Sequence, residues 1–383
     1  KEYRRQRQMC IRDRFKVMEE REDYYLIGLL AVSGIGNAHA KGLIDHFGSA
    51  SHVFHAKSSE LKEVPGISEK IIKNILDRHG LKASEEIMTQ CQKKEIALIS
   101  YRSKKYPDRL RGLYNGPALL YYKGSESLNA NRTMAIVGTR QASDYGKSIT
   151  KKIIEDGQVF QATLLSGLAY GIDIEAHKAA LQNHMPNWAI LAGGIDQIYP
   201  RAHMKFAEKI MGHGGLISEQ PPGTKSAPYL FPMRNRIIAG MSDVTIVVEA
   251  AVRGGALITA QIADSYNRLV LAVPGNLDRP YSMGCNQLIQ AQKALIYTGA
   301  ETLAYNLNWS SKKGDHPGFK TIKKNLTPAE KIIYDLLLTA DYMSIDELSI
   351  KAKIEMNQMA HVLMALEFKD LIKVRPGNKY KLK

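Results

Sequence analysis

Hydrophobic periodicity changes twice along the chain, and each change marks a different kind of element. From about Asp23 to Lys94, apolar residues fall at helical spacing. Leu26, Leu29 and Leu30 lead into Val32-Ser33-Gly34-Ile35-Gly36, a second helical stretch follows, and Val64-Pro65-Gly66-Ile67-Ser68 opens another over Glu69 to Leu76. Twice an apolar residue precedes an x-Gly-Ile turn that starts a helix, which predicts a helix-hairpin-helix pair (SAM-like) over residues 23–94. Glycines in such turns let the backbone approach a DNA phosphate, and the helix N-terminus adds unpaired N–H groups. The short loops are not strongly basic, so a small helical bundle with glycine turns and no ligand fits the same pattern.

From about Met134 to Tyr305, short apolar runs alternate with helical stretches. The runs are Met134–Val137, Thr163–Leu165, Trp188–Leu191, Leu216–Ser218, Val244–Val248 and Leu269–Val273. Strands separated by one helix each form βαβ units in a mostly parallel sheet. Thr245-Ile246-Val247-Val248 and Leu269-Val270-Leu271-Ala272-Val273 are continuously apolar, as strands covered on both faces must be. Residues 95–305 are therefore expected to fold as an α/β core, an extended Rossmann-like parallel sheet, with binding sites at the carboxyl ends of its strands.

A polar stretch from Asn306 to Leu326, containing Ser310-Ser311-Lys312-Lys313-Gly314-Asp315 and Pro317-Gly318, predicts a linker over 306–326. Three short helical patterns then fill residues 327–383. Thr327-Pro328-Ala329-Glu330 caps the first and Ser344-Ile345-Asp346-Glu347 the second, while Glu355 to Phe368 forms the third. Ile372-Lys373-Val374-Arg375 and Lys379-Tyr380-Lys381-Leu382 flank Pro376-Gly377-Asn378 as a hairpin, which completes a winged helix. Its third helix carries Glu355, Glu367 and few cations, a poor complement to a major groove, so docking is favoured over base readout.

Composition changes the picture in one respect. Lys+Arg of 53 against Asp+Glu of 38 leaves a formal charge of +15, which suits a polyanion partner wherever cations coincide with phosphate-binding backbone. Residues 1–22, opening with the basic KEYRRQRQMCIRDR, have no apolar period and are expected to be a disordered or non-native stub, a nucleic-acid-binding arm being the other reading. Cys10, Cys91 and Cys285 lie far apart without metal or disulfide spacing. With no signal peptide or membrane-spanning run visible, a cytoplasmic setting without membrane contact is expected.

The strongest local motif is Ala135-Ile136-Val137-Gly138-Thr139-Arg140-Gln141-Ala142-Ser143-Asp144-Tyr145-Gly146. A strand ends in glycine, a hydroxyl and an arginine follow, and a helix opens at about Ser143, the chemistry of a phosphate cradle. It lacks G-x-G-x-x-G, and the second strand ends in Ser166-Gly167 where a dinucleotide site needs an acid. Gly146-Lys147-Ser148 ends like a P-loop, but Gln141 stands where that loop needs glycine, which argues against ATP hydrolysis. Asp173 is a candidate helix cap, and His177 is read as a packed structural histidine rather than a general base. Phe231-Pro232-Met233-Arg234-Asn235-Arg236 then places two arginines and an asparagine at the mouth of a helix. After Val247-Val248-Glu249-Ala250, Arg253-Gly254-Gly255 opens a further helix carrying Thr259, a second anion cradle. No metal-spaced His/Cys/Asp cluster, serine elbow or poised carboxylate pair occurs, so no catalytic residue, metal or cofactor is expected.

In order, these segments resemble the DNA-processing protein A (DprA/Smf) family. The matching stretches are Ile136 to Arg140 with Ser143 and Tyr145-Gly146; Ser166 to Ala169 with Gly171-Ile172-Asp173 and Ala176-His177; Gly194-Ile195-Asp196 with Tyr199-Pro200; Ser218-Glu219 with Pro221-Pro222-Gly223; Phe231-Pro232 with Arg234 to Gly240; Leu257 to Ala260; and Pro274-Gly275 with Gly284-Cys285-Asn286. The resemblance implies a core that dimerises, binds and protects incoming single-stranded DNA, and loads the RecA recombinase onto it during natural transformation. By motif position, Arg140, Arg234 and Arg236 would contact backbone phosphate, Ser143, Gly167, Gly254 and Gly255 would shape the pocket, and Arg201 and Lys205 would extend the basic track. Gly138, Thr139, Ser166, Asn235 and Thr259 complete the expected set. Arg253 and His203 depart from the usual family pattern. The rival is a nucleotide-hydrolysing enzyme of the related glycine-glycine-loop type, but Leu257-Ile258-Thr259-Ala260-Gln261 lacks the acid that such a loop carries.

Overall fold

A computed structural model describes residues 22–310, 326–338, 342–369, 371–375 and 379–382. The chain divides into two compact units, the first ending at Trp309 and the second beginning at Ser310. Of the expected stub, only Glu22 falls among the described residues. It already belongs to the helix Glu22–Ala31, and its carboxylate accepts the N–H groups of Ala50 and Ser51.

Among the described residues, six helices, Glu22–Ala31, Asn37–Phe47, Ala50–His55, Ser58–Lys62, Glu69–Leu76 and His79–Lys93, form the N-terminal part. The two hairpin turns need glycine for a backbone reason. Gly34 and Gly66 sit at φ of 93° and 81°, the left-handed region that side chains disfavour. Ser68 then caps its helix by accepting the N–H of Ile71 at 3.4 Å.

The boundary at residues 94 and 95 is one of sequence, not of packing. A single apolar cluster runs from Leu29, Leu43 and Ile75 into Leu119, Tyr121, Ala189 and Leu216 of the core. Asn37 bridges the two parts, donating to Glu219 Oε1 and accepting from the Ala118 N–H, both at 2.7 Å.

The core is a nine-stranded sheet of β1 (Ala97–Ser100), β2 (Leu119–Gly124), β3 (Thr133–Val137), β4 (Thr163–Ser166), β5 (Asn187–Leu191), β6 (Gly214–Ser218), β7 (Val244–Val247), β8 (Leu269–Ala272) and β9 (Leu295–Ile296). Its order is β1-β2-β6-β5-β4-β3-β7-β8-β9. β2 pairs antiparallel with β1 and β6, and all other pairs are parallel. The six apolar runs of the sequence are β3 to β8, and β3 to β7 are buried along their whole length. Chain direction around the sheet reverses between β3 and β7, where such sheets open a crevice beyond the strand ends.

Polar composition misplaces the start of the linker. Asn306 and Leu307 belong to the helix Ala300–Leu307, and Trp309 is buried with its ring 5.9 Å from Phe160. Burial of that indole ties the chain to the core past residue 305, outweighing the local polarity. Residues 311–325 lie outside the described residues.

The second unit has helices Pro328–Leu338, Ile345–Ala352 and Met356–Phe368, and a sheet of β10 (Met343–Ser344), β11 (Ile372–Arg375) and β12 (Lys379–Leu382) in the order β10-β12-β11. Both predicted caps form as reciprocal boxes. Glu330 N–H donates to Thr327 Oγ1 at 3.3 Å and Thr327 N–H to Glu330 Oε2 at 2.7 Å; Ser344 and Glu347 repeat the arrangement at 3.2 and 2.8 Å. Leu337, Leu348, Leu363 and Ile372 make a separate core. The unit is a winged helix, and the expected turn Pro376–Asn378 lies outside the described residues.

Candidate nucleic-acid interface

At the reversal between β3 and β7 lies a cavity of about 310 Å³, lined by Gly138, Thr139 and Arg140 after β3 and by Ala250, Ala251 and Arg253 to Ala256 after β7. Its floor is Arg234, Asn235 and Asp173, and its rim is Phe231 and Tyr281. The helix Gly255–Ser265 aims its N-terminus into this space, with Gly254 as an extended N-cap residue and no side-chain cap. A Cβ on Gly255 would meet nothing within 4 Å, and one on Gly254 only the Ala251 carbonyl at 3.8 Å. Neither glycine is demanded by packing, and neither has the positive φ that would demand it. What remains is an uncapped, positively polarised helix end that a ligand can approach to backbone contact.

The neighbouring helix start, Asp144–Val159, is different. Ser143 caps it by accepting the Gly146 N–H at 3.1 Å, and the buried Glu249 carboxylate takes the Ser143 N–H at 2.9 Å and the Ser143 hydroxyl. A Cβ on Gly146 would sit 2.2 Å from Glu249 Oε2, so that glycine makes room for an internal anion. Ser143, Glu249, Asp144 and Arg279 face a second cavity of about 850 Å³ on the other side of Tyr281.

Arg234 is buried yet tied down by carbonyls. Its Nη1 donates to Gly167 O at 2.7 Å and Ile190 O at 2.5 Å, and its Nε to Asn235 Oδ1 at 3.2 Å. Among the described residues nothing bonds to Nη2, on a side chain that lines the cavity. Burial pushes this guanidinium below its ordinary value, opposed by Asp173 and reinforced by Arg140. The Asp173 carboxyl is pushed up by burial against the pull of Arg234, and its Oδ2 accepts the Gly167 N–H at 3.1 Å. Arg140 is exposed, its guanidinium 5.4 Å from the Phe231 ring centroid. Thr139 N–H is anchored on Glu249 O at 2.7 Å, which fixes the loop that carries Arg140.

The chain is similar to known proteins along most of its length. Residues 97–308 match the model of the DNA recombination-mediator protein A family, residues 26–100 a SAM-like helix-hairpin-helix tandem, and residues 320–378 the DprA winged helix domain. The chain belongs to the DNA recombination-mediator protein A family. Protein Smf of Synechocystis sp. is 34% identical over 75% of this chain and 73% of its own length. The DNA processing protein DprA of Bacillus subtilis is 39% identical over 56% of this chain and 73% of its own. Among solved structures, DprA of Streptococcus pneumoniae matches with a TM-score of 0.65 at 30% identity, covering 74% of this chain and 97% of that one. DprA of Helicobacter pylori, described for its single-stranded DNA binding mode, matches with a TM-score of 0.51 at 25% identity, covering 56% and 96%.

In this recombination-mediator fold the predicted site residues separate into two groups. Gly138, Thr139, Arg140, Arg234, Asn235, Gly254, Gly255 and Thr259 come together around the first cavity. Ser143, Ser166, Gly167, Arg201, Lys205 and Arg236 do not line it. Ser166 is buried with its hydroxyl donated to Ile136 O at 2.6 Å. Gly167 acts through Arg234, because a Cβ there would lie 2.2 Å from Nη1. Arg201 and Lys205 are exposed, with no ion-pair partner among the described residues. Arg236, two residues beyond Arg234, points to another part of the helix surroundings, where it donates to Asn115 O at 2.5 Å and pairs with Glu219. Lys41 stands beside this pair, its ammonium pushed down by burial and by Arg236.

His177 is fully buried, bonded through Nδ1 to Asn187 Oδ1 at 3.0 Å and lowered to about 4 by burial, so it stays neutral and structural. His203 Nδ1 meets the Leu168 carbonyl at 2.7 Å. Sequence reasoning missed Glu249, Phe231, Tyr281 and the tie from Asp173 to Gly167. Glu249 left a trace: an acid directly after a buried apolar strand requires donors, and the nearest unpaired ones belong to a helix start. Among the described residues no three His, Cys, Asp or Glu side chains cluster as metal ligands, and no helix is long and apolar enough to cross a membrane.

Proposed function

We propose that the chain binds single-stranded DNA without cleaving it, seating a backbone phosphate on the open N-terminus of helix Gly255–Ser265. The observation that carries this is the uncapped helix end at Gly254-Gly255, where a side chain would meet almost nothing, facing Arg140 and the unpaired Nη2 of Arg234. A phosphate there gains dipole, backbone N–H groups and two guanidinium groups at once. The Helicobacter pylori relative, known by its single-stranded DNA binding mode, supports the same ligand. In this reading the protein protects incoming DNA in the cytoplasm and passes it to RecA during natural transformation. It works as a homodimer through the Rossmann-like core, whose last strand, β9, leaves Leu295 and Ile296 about half exposed on a sheet edge.

The hydrolase alternative has weaker support. Asp173 is the one carboxylate lining the cavity among the described residues, and it is engaged by the Gly167 N–H. Fluorescence anisotropy of a labelled oligonucleotide, single-stranded against duplex, over a salt series without nucleotide tests the proposal. Preference for the single strand, with a log K slope of about −0.7 per neutralised phosphate, is the expected result. No binding to either form, together with release of base from a nucleoside monophosphate, would turn the assignment to the enzyme.

A further inference from the structure

The winged-helix unit offers a partner two surfaces, and they differ in chemistry. The outward face of helix Met356–Phe368 carries exposed Met364 and Phe368, with Glu367 beside them, and its first turn has no cation. The wing is the reverse. β11 and β12 pair antiparallel with Ile372 opposite Leu382, Lys373 opposite Lys381, Val374 opposite Tyr380 and Arg375 opposite Lys379. Ile372 is buried, and Tyr380 and Leu382 pack on the unit's core, so these residues define the inner face. Residues alternate along a strand and directly paired residues share a face, which places Lys373, Lys379 and Lys381 together on the outer one.

That arrangement is unfavourable when left alone. Lys373 and Lys381 are like charges in direct cross-strand opposition, which weakens a sheet. Among the described residues none of the three lysines has a carboxylate within ion-pair distance, whereas Lys369 of the same unit sits 2.7 Å from Glu330. A partner carrying a row of negative charges relieves the repulsion. Lysines two residues apart on one strand stand about 6.8 Å apart, so the partner's charges must repeat along a line. At the edge of this face Lys379 Nζ lies 4.7 Å from the centre of the exposed Tyr342 ring, an aromatic surface next to the cations. Cations tracking a backbone beside an aromatic ring are the means by which proteins hold nucleic acid without reading its sequence.

We propose that the outer face of the wing, Lys373, Lys379 and Lys381 with Tyr342, is a second binding surface for the sugar-phosphate backbone of nucleic acid. The third helix takes no part in it. This surface is independent of the core cavity, and the experiment keeps the two apart.

The full chain and its K373A/K379A/K381A variant are titrated with a labelled single strand and with its duplex over a salt series. Each measurement is repeated in a Gly255→Asp background, which closes the core cavity. Loss of three contacts should flatten the log K against log salt slope by about 2 for the single strand and slightly more for the duplex. Duplex affinity at low salt should fall roughly tenfold or more, and a Lys→Arg version of all three sites should retain it. The Gly255→Asp protein should keep a weak, salt-sensitive affinity for both forms that the wing variant removes. An unchanged slope in the triple variant overturns the proposal, as does efficient displacement of wing-bound DNA by a polyglutamate peptide. If Gly255→Asp alone leaves single-strand affinity intact while the wing variant lowers it, the core reading fails and the wing stands.

Discussion

Two helix starts lie side by side at the ends of β3 and β7, and they meet opposite fates. The one at Asp144 is filled from within, because Glu249 reaches the Ser143 N–H and hydroxyl. The one at Gly255 is left open above a cavity. Both have unpaired N–H groups, a dipole and nearby glycine, yet only the second has room for an anion from outside. The glycines report the difference: Gly146 is small because a carboxylate occupies its space, and Gly255 is small with its space empty. A helix end primed for an anion therefore becomes a binding site only when the protein does not supply the anion itself.

Removing the internal anion should have the largest effect. Glu249→Ala removes two hydrogen bonds to a buried charged group, from the N–H and the hydroxyl of Ser143, and is expected to cost about 3–4 kcal/mol of stability by denaturant unfolding, with DNA affinity of the folded protein changed by less than about threefold. Arg236→Ala comes next. It leaves Glu219 half of a largely buried pair, and about 3 kcal/mol of stability should be lost while single-strand affinity stays near that of the parent. Adding an internal anion to the open end tests the other half of the contrast. Gly255→Asp should lower single-strand affinity by about 100-fold, or about 2.7 kcal/mol, and leave the melting temperature level or slightly higher, since an acid suits the first turn of a helix. Arg140→Ala, on an exposed side chain, should weaken binding by about 1–2 kcal/mol in anisotropy titrations with no change in stability. Equal losses of affinity in Arg140→Ala and Arg236→Ala would collapse the distinction between the two arginines.

Most of the architecture was legible because its signals are local. The apolar runs of β3 to β8, the caps at Thr327 and Ser344, and the glycine turns at Gly34 and Gly66 each follow from a few adjacent residues. The site was legible as a set of loops and less so as a set of side chains. Arg234 and Arg236 read alike in sequence, but a rotation of about 200° along the helix sends one to the cavity and the other to Glu219. Ser143 looked like part of a phosphate cradle, and the competitor for its donors lies 106 residues away in Glu249. Contacts over such separations leave no periodicity to read. The same holds for Asn37 and Lys94, which fuse the helical region to the sheet through Glu219 and Asp196.

The packing of Trp309 against Phe160 has a spectroscopic consequence. The chain has two tryptophans, Trp188 inside the sheet and Trp309 at the end of the core, and both belong to the first unit. Indole emission excited at the red edge therefore reports melting of the core alone, and the winged helix is silent in that channel. Its own transition has to be followed through tyrosines such as Tyr334 and Tyr380 or through the helical dichroism signal. One sample heated once, observed in both channels, resolves whether the two units lose their structure together or in sequence.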